Sequence, residues 1–331
     1  MIFDISEINV PSYKINYDDF EKLSSEGSLS REPEKATERK IKICTWNVNG
    51  IRSNILRPCN CQQLKLHNSV VKTFNSSVGL GRIIDKESPD IICLQETKAS
   101  LENIANIQVE GWDIYASESK RGDKRGPNRY SGTAIFVNRE RLGKPTRVIN
   151  NLPGLPDDMD EGRLVALEFK DFWLVNVYTP NSGSNAEFRN KTWSPLMLSF
   201  LDSLDNVILC GDMNVARTLY DIKHKANESV SLEYVDQEYT KKNVAGFRSD
   251  ERKWFDKLLK TGFTDVWRKM NPESTEHGYT YVDNIGKVFR MRIDYFLTKF
   301  NSHPFEITEC AVDEYQSRES DHIPLFMTIR I

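Results

Sequence analysis

No run in this 331-residue chain approaches the roughly 20 consecutive apolar residues that a membrane-crossing helix needs. The opening segment, MIFDISEINVPSYKINYDDF, is acidic and has no basic stretch ahead of an apolar block. Neither a secretory signal nor an Arg-rich transit peptide is expected from it. Cysteine is sparse and scattered: of the six (Cys44, Cys59, Cys61, Cys93, Cys210, Cys310), three lie inside apolar runs. That pattern fits buried free thiols in a reducing compartment, not a disulfide framework. Cys59 and Cys61 form a lone CxC with no second pair at zinc-ligand spacing. Neither a GxSxG nucleophile turn nor a Gly-rich loop of Walker type occurs, and no internal repeat is evident. Any chemistry must therefore come from dispersed polar side chains.

The net charge of −3 is unevenly spread. Residues 1–40 carry nine acids and six bases, which leaves 39 of each sign in the remainder. A neutral domain still binds a polyanion if its charges are segregated and a divalent cation adds to one face. Within residues 1–40, SSEGSLSREPEKATERK is polar and aperiodic, so a flexible tail is expected there. From Ile41 the pattern changes to short β-rich runs separated by helical or turn-rich pieces: IKICTWNV, DIICLQE, GTAIFV, LVALEF, FWLVNVY, NVILCGDMN, RMRIDYFLT, ITECAV and IPLFMTI. Several are apolar throughout, as in sheets covered on both faces, which points to an α/β sandwich forming one domain over 41–331. A helix is expected from Ser249, with Asp250 and Glu251 in its first turn. Trp254, Phe255, Leu258 and Leu259 would form its apolar face.

Polar residues gather where these runs end. Asn47 and Asn49 follow the first run and Glu96 closes the second. Tyr178 and Asn181, then Asp212 and Asn214, close two more. Asp294 sits within RMRIDYFLT, and Ser320, Asp321 and His322 precede the last run. Strand ends converge at one edge of a packed sheet, and carboxylates or amides there are costly unless paired or ligating. Each residue alone has an ordinary explanation: Asn49 before a glycine as a turn, Asp212 as a cap, Asp294 as a salt-bridge partner, His322 as a satisfied histidine, Tyr178 as half-buried core. The set is harder to explain away. Oxygen ligands from Glu96, Asp321, Asp212 and the amides suit a hard cation such as Mg²⁺ or Mn²⁺. Asp294 beside His322 is a way to orient an imidazole and favour its protonated form. Asn181, Asn214 and Tyr178 supply donors for the charge of a phosphorane. Attack of a metal-assisted water on phosphorus uses all these parts.

The pieces WNVNGIR, PDIICLQETK, YSGTAIF, EGRLVALE, VYTPNSG, CGDMNVA, AGFRSDERKWF, RIDYFL and SDHIPL stand in an order that resembles the AP (abasic-site) endonucleases of the exonuclease III type. GDxN and SDH mark the wider superfamily, while LQETK, ERxxF and RIDYFL are more particular to this group. The resemblance implies a four-layered α/β sandwich, two packed and mostly antiparallel sheets flanked by helices. It implies Mg²⁺-dependent cleavage of double-stranded DNA 5′ to an abasic site, leaving a 3′-hydroxyl and a 5′-deoxyribose phosphate, with 3′-exonuclease and 3′-phosphodiesterase as side activities. Glu96 would hold Mg²⁺ (Mn²⁺ as substitute), with Asn49, Asp321, Asp212 and Asn214 nearby, for one metal ion or two. Asp212 would position or deprotonate the water, and His322, oriented by Asp294, would contact the phosphate. Asn181, Asn214 and Tyr178 would stabilise the transition state. Asn47 would bind substrate, and Tyr281, Met291 and Ile293 would line a pocket for the abasic sugar, too small for a base. A monomer in the nucleus is the expected setting, the latter from the substrate alone.

The chain departs from these relatives in places. Asn49 stands, as in bacterial members, where eukaryotic members commonly have an acid. Val282 stands where a tryptophan is usual, and Met291 replaces a tryptophan or leucine. The NIGKVFRM loop is short. Residues 54–82 and 222–241 look like additions. SKRGDKRGPNR brings five bases and one acid to Lys120–Arg129, as either a solvated loop or a phosphate clamp. Two readings compete: a superfamily phosphoesterase acting on lipid or inositol phosphates, which should lack ERxxF and RIDYFL, and a DNA-binding or redox protein with a vestigial site, which should have lost one of Glu96, Asp212, Asp294 or His322. All are present.

Overall fold

The computed structural model describes residues 39–51, 65–66, 69–70, 79–107, 109–120, 130–224, 244–272, 278–282, 289–302, 305–313 and 319–331. The expected tail, and most of the additions at 54–82, 120–129 and 222–241, lie outside them. Arg39–Ile331 is one compact unit.

In chain order the strands are β1 (Lys40–Asn47), β2 (Lys65–Leu66), β3 (Ser69–Val70), β4 (Ile91–Gln95), β5 (Trp112–Ser117) and β6 (Thr133–Asn138). There follow β7 (Arg147–Ile149), β8 (Leu164–Glu168), β9 (Trp173–Tyr178), β10 (Val207–Asp212), β11 (Ile222–His224) and β12 (Thr264–Asp265). The last are β13 (Tyr281–Val282), β14 (Phe289–Met291), β15 (Asp294–Lys299), β16 (Glu306–Val312) and β17 (Leu325–Arg330). Two six-stranded sheets result, ordered β16-β17-β1-β4-β6-β5 and β12-β15-β10-β9-β8-β7. Among the described residues each has a single parallel pair, β1 with β4 and β9 with β10, among antiparallel neighbours. This is the mostly antiparallel pairing expected. The matching layout of the two sheets has no counterpart in any repeat of sequence.

Side-chain alternation along the strands builds the layers. Ile41 and Ile43 of β1, Ile91 and Cys93 of β4, Leu174 of β9, Ile208 and Cys210 of β10 and Phe296 of β15 face one another between the sheets. Their neighbours Cys44, Trp46, Ile92 and Leu94 point outward into a second core, and Val175, Leu209, Tyr295 and Leu297 into a third. The third is closed by the helices Ser194–Asp202 and Ser249–Lys260, through Met197, Phe200, Trp254, Phe255 and Leu258. Helix, sheet, sheet, helix make four layers. The helix expected from Ser249 forms as read, with Asp250 and Glu251 in its first turn and Leu259 partly buried. RMRIDYFLT differs: it breaks at Arg292–Ile293 into β14, which joins a three-stranded sheet with β11 and β13, and β15. The cause is Arg292, whose buried guanidinium is held by Asp221 (2.8 Å) and by both oxygens of Asp265 (2.9 and 2.7 Å). β5 was missed because its polar alternation, WDIYAS, hides a sheet-edge strand. Among the described residues no helix is long and apolar enough to cross a membrane. Cys44, Cys93, Cys210 and Cys310 are buried free thiols.

Candidate active site

The same alternation that fills the inter-sheet core delivers the site. In β10 the inward positions are Ile208, Cys210 and then Asp212, while in β9 Leu174 leads through Asn176 to Tyr178. In β1, Ile43 leads through Thr45 to Asn47. β15 runs antiparallel to β10, so its first residue, Asp294, arrives at the same end: Tyr178, Asp212 and Asp294 are register partners across three adjacent strands. Gly211 makes this close pairing possible; at φ 125° it lies where a Cβ would come within 2.0 Å of the Val177 carbonyl.

Between the apolar core and these residues lies a polar floor. Gln95 donates through Nε2 to Thr45 Oγ1 (2.9 Å) and Asn176 Oδ1 (2.7 Å). Asn176 in turn donates to the carbonyls of Leu94 and Ala134, both at 3.0 Å, and so ties one sheet to the other. All of these side chains are buried, and their hydrogen bonds offset the desolvation that burial imposes.

Asn47 Nδ2 donates to Glu96 Oε1 (3.0 Å) and to Asp212 Oδ2 (2.9 Å), so one amide holds carboxylates from both sheets. Lys98 Nζ pairs with Glu96 Oε2 at 2.7 Å and also donates to Asn49 Oδ1. Asn49 donates to Asp321 Oδ1 at 3.1 Å. Asn214 accepts from Asn181 Nδ2 (3.1 Å) and donates to the Thr179 carbonyl (2.8 Å), and its backbone N–H caps Asp212 Oδ1 at 2.7 Å. His322 Nδ1 lies 2.8 Å from Asp294 Oδ2, and its Nε2 lies 3.9 Å from Asp212 Oδ2. Asn49, Glu96, Lys98 and Asn214 all adopt positive φ, between 46° and 51°. For Glu and Lys that backbone is strained, and strain concentrated in one place marks a site that its surroundings hold rigidly.

These placements set the charges. Burial pushes the Asp212 carboxyl up, and the neighbouring Asp294 charge pushes it further, to about 7. Burial opposes protonation of His322, but Asp294 outweighs it and carries the imidazole up to about 10. Burial likewise opposes ionisation of Glu96, yet Lys98 and the hydrogen bonds from Asn47 and Tyr178 bring its carboxyl below the usual range. Burial, then the Glu96 charge, lifts the Tyr178 phenol well above its ordinary value. At neutral pH the site therefore holds a carboxylate (Glu96), an imidazolium (His322), a neutral phenol (Tyr178) and a carboxyl poised to titrate (Asp212).

Asp212, Asp294 and His322 offer ligand atoms within 4.8 Å of one another. A protonated imidazole does not ligate, so the oxygen donors of Glu96, Asp212, Asn49 and Asp321 fit a hard divalent cation better than that trio does. Lys98, whose ammonium already contacts Glu96 and Asn49, shows that this end of the site accommodates positive charge.

The structure brings Tyr281, Met291 and Ile293 together in a small apolar cluster with Ala216, Ile222 and Phe247. The Tyr281 ring meets the His322 ring edge-on, with centroids 5.1 Å apart. Sequence reading passed over Lys98, Arg163 and Arg189. Arg163 is buried under Tyr178: its guanidinium stacks 4.5 Å from the phenol ring and donates to the Tyr178 carbonyl (3.1 Å), Tyr130 Oη and Glu161 (both 2.6 Å). A signal in sequence existed for Lys98 alone, two residues past Glu96 in LQETK; Arg163 and Arg189 are marked by no local spacing.

Fold and site define a phosphoesterase class: two packed sheets whose inward strand ends assemble carboxylates, amides and an Asp-braced histidine. Residues 44–322 match the Endonuclease/Exonuclease/phosphatase family, and the chain belongs to it. It is thus a hydrolytic enzyme of a family characterised by divalent-metal dependence. Among relatives, it is 30% identical over 313 residues to a DNA-(apurinic or apyrimidinic site) endonuclease of Dictyostelium discoideum, covering 89% of this chain and 72% of that one. It is 32% identical over 306 residues to an exodeoxyribonuclease of Bacillus subtilis, covering 88% of this chain and 100% of that one. The solved AP endonuclease of Leishmania major shares the fold, with TM-score 0.66 and 23% identity over 97% of this chain and 93% of that one.

Proposed function

We propose that this protein is a DNA-repair AP endonuclease that hydrolyses the phosphodiester 5′ to an abasic site in duplex DNA, leaving a 3′-hydroxyl and a 5′-deoxyribose phosphate. Lesser cleavage at 3′ ends belongs to the same reading, as do Mg²⁺ as the resident cation, action as a monomer and, from the substrate alone, a nuclear location. The observation that carries the proposal is the alignment of Tyr178, Asp212 and Asp294 on adjacent strands with His322 braced behind them. Relatives named as acting on abasic DNA support the choice of substrate.

Glu96, with Asn49, Asp321 and the Asp212 carboxylate, would hold the cation, which supplies Lewis-acid polarisation of a phosphoryl oxygen and neutralises developing charge. Asp212, a buried carboxylate at the strand end, accepts the proton of the attacking water as general base. Asn47 and the Asn214 N–H hold its two oxygens in place meanwhile. Protonated His322 presents Nε2–H to a phosphate oxygen while Asp294 fixes its ring. Tyr178, kept neutral, donates its hydroxyl rather than taking a proton, and the Asn181 and Asn214 amides complete the donor set around the phosphorane. The leaving 3′ oxygen takes its proton from solvent water, and Asp212 returns the proton it accepted to solvent as the products depart. Tyr281, Met291 and Ile293 form a wall against which a flipped-out sugar without a base would pack.

The test is cleavage of a duplex bearing one tetrahydrofuran abasic analogue, with Mg²⁺ and with EDTA, beside an undamaged duplex. Metal-dependent incision immediately 5′ of the analogue, sparing the undamaged duplex, is expected. Intact strands across several divalent metals would sink the reading.

A further inference from the structure

Beneath the site lies a buried ion pair that none of the proposed chemistry uses. Arg189, on the helical segment that follows Asn181, is fully buried, and so is Glu251 of the helix Ser249–Lys260. Arg189 Nη1 donates to the carbonyls of Pro180 (3.1 Å) and Asn214 (3.0 Å), and Nη2 donates to that of Met213 (3.0 Å). The first carbonyl immediately precedes Asn181, and the other two belong to the turn that carries Asn214. One guanidinium thus clasps the two loops that follow β9 and β10. Across the pair, Glu251 Oε1 accepts from Arg189 Nη1 and from the Gly246 N–H, each at 3.3 Å, while Oε2 accepts from the Arg248 N–H at 2.8 Å. Gly246 backs directly onto the pocket wall: a Cβ there would stand 3.1 Å from Met291 Cε, and its carbonyl accepts from Ala216 at 2.6 Å.

We infer that Arg189 and Glu251 are a positioning pair that fixes the amide donors Asn181 and Asn214 and the back wall of the Met291 pocket as one unit. Neither touches the reacting atoms. Arg189 sets where the two amides point, Glu251 sets where Gly246 and Phe247 stand, and the ion pair locks the two settings together. Rate and discrimination then share a single support. Lysine cannot replace the arginine: a single ammonium lacks the planar fork that reaches three carbonyls and a carboxylate from two nitrogens. This inference rests on the functional reading above, since the rate and the discrimination it concerns are those of abasic-site cleavage.

The experiment compares Arg189→Lys and Glu251→Gln with Leu167→Ala, a core variant remote from the site, chosen as a destabilised control. Urea midpoints place all three on one stability scale, and kinetics are run where each is folded. Arg189→Lys is expected to lose about 10²-fold in kcat with KM within a few-fold, since small misplacements of transition-state donors act on turnover. Both pair variants are also expected to narrow the ratio of abasic to undamaged cleavage, while Leu167→Ala keeps wild-type kcat and ratio. If the pair variants are destabilised but keep wild-type kcat and ratio, the pair is structural only and the inference fails. Should Arg189→Lys not fold, Glu251→Gln carries the same comparison. A wild-type protein that cuts no duplex would sink the functional reading instead. The inference is then read from the side-chain amide NMR signals of Asn181 and Asn214, which should move in the pair variants and not in Leu167→Ala; unmoved signals overturn it.

Discussion

Asp212 and Asp294 are register partners on β10 and β15, two buried carboxylates side by side at the last step of a ladder. Two such charges cannot sit together in a low-dielectric interior without a proton or cation between them. The fold answers with His322, whose Nδ1 lies against Asp294 and whose Nε2 faces Asp212. The trio shares a proton that rests on the imidazole, which leaves Asp212 free to titrate as a base. Trp46 Nε1, donating to the His322 carbonyl at 3.0 Å, and Ser320 Oγ, accepting from the His322 N–H at 3.1 Å, fix the backbone behind it.

Replacing His322 with Asn should therefore remove the imidazolium and its contact to phosphate while leaving the strand ends in place. Loss of a positioned proton donor costs about 10²–10⁴-fold in rate, and duplex binding measured with a non-cleavable phosphate should stay within a few-fold of wild type. Asp294→Asn should cost less, because the ring loses its charged partner but keeps a hydrogen-bonding neighbour. Near-normal kcat in His322→Asn would remove the residue from the chemistry.

Much of this site was legible because strand pleating is a period of two and the polar residues fell where apolar alternation stopped. Tyr178, Asp212 and Glu96 could be read as strand-end groups from their own runs. The Asp294–His322 contact could be guessed only as a pair type, since 28 residues separate its members. The polar floor of Gln95 and Asn176 was hidden, because inside LQE and VNV each looks like an interruption in a strand. Its meaning depends on the facing sheet. Arg163, Arg189 and Arg292 were hidden for a related reason: a buried arginine is defined by carbonyls and carboxylates from distant segments, and no local spacing reports them. The break in RMRIDYFLT belongs to the same class, since Asp221 and Asp265 hold Arg292 and divide the run.

Stability in EDTA should fall as pH rises, through two windows with distinct owners. His322 has its affinity for a proton raised in the folded state, from 6.5 to about 10. Its stabilising contribution is complete below pH 6.5 and disappears as pH climbs through about 10. Asp212 is also raised, from 3.8 to about 7, so the folded state again binds more protons than the unfolded one, and stability declines across that lower window. Urea unfolding at a series of pH values should show a shallower slope for Asp212→Asn below neutrality and for His322→Gln above it. Parallel curves for all three proteins would contradict the assignment.

Glu96→Gln should weaken the cation more than it weakens DNA. The carboxylate is held ionised by Lys98, with Asn47 and Tyr178 donating to it, against the opposing effect of burial. A glutamine keeps the shape and loses the charge. Since groups that merely support ligands are worth about 10–100-fold in metal affinity, the Mg²⁺ concentration for half-maximal cleavage should rise by at least tenfold. Binding of Mn²⁺ alone, followed by paramagnetic relaxation of water protons, gives a reading independent of turnover. An unchanged Mn²⁺ isotherm would take Glu96 off the ligand list.

Met291 offers the sharpest test of why an abasic sugar, and not an intact nucleotide, would be accepted. Its side chain is buried, packs among Ile222, Phe247 and Ile293, and abuts Gly246, so the wall has no slack on its far side. Truncation to Ala should open space that the rigid backbone cannot close, at about 2–5 kcal/mol of stability. Discrimination exerted by a hydrophobic pocket over a few methylenes is worth about 10–200-fold, so the ratio of abasic to undamaged cleavage should fall within that range. The fall should come from faster cutting of undamaged duplex as well as slower cutting of the analogue, because a roomier pocket admits more and holds the sugar less firmly. A ratio that stays at the wild-type value in a folded Met291→Ala protein would mean that the pocket is not the filter, and that selection occurs when the nucleotide leaves the stack.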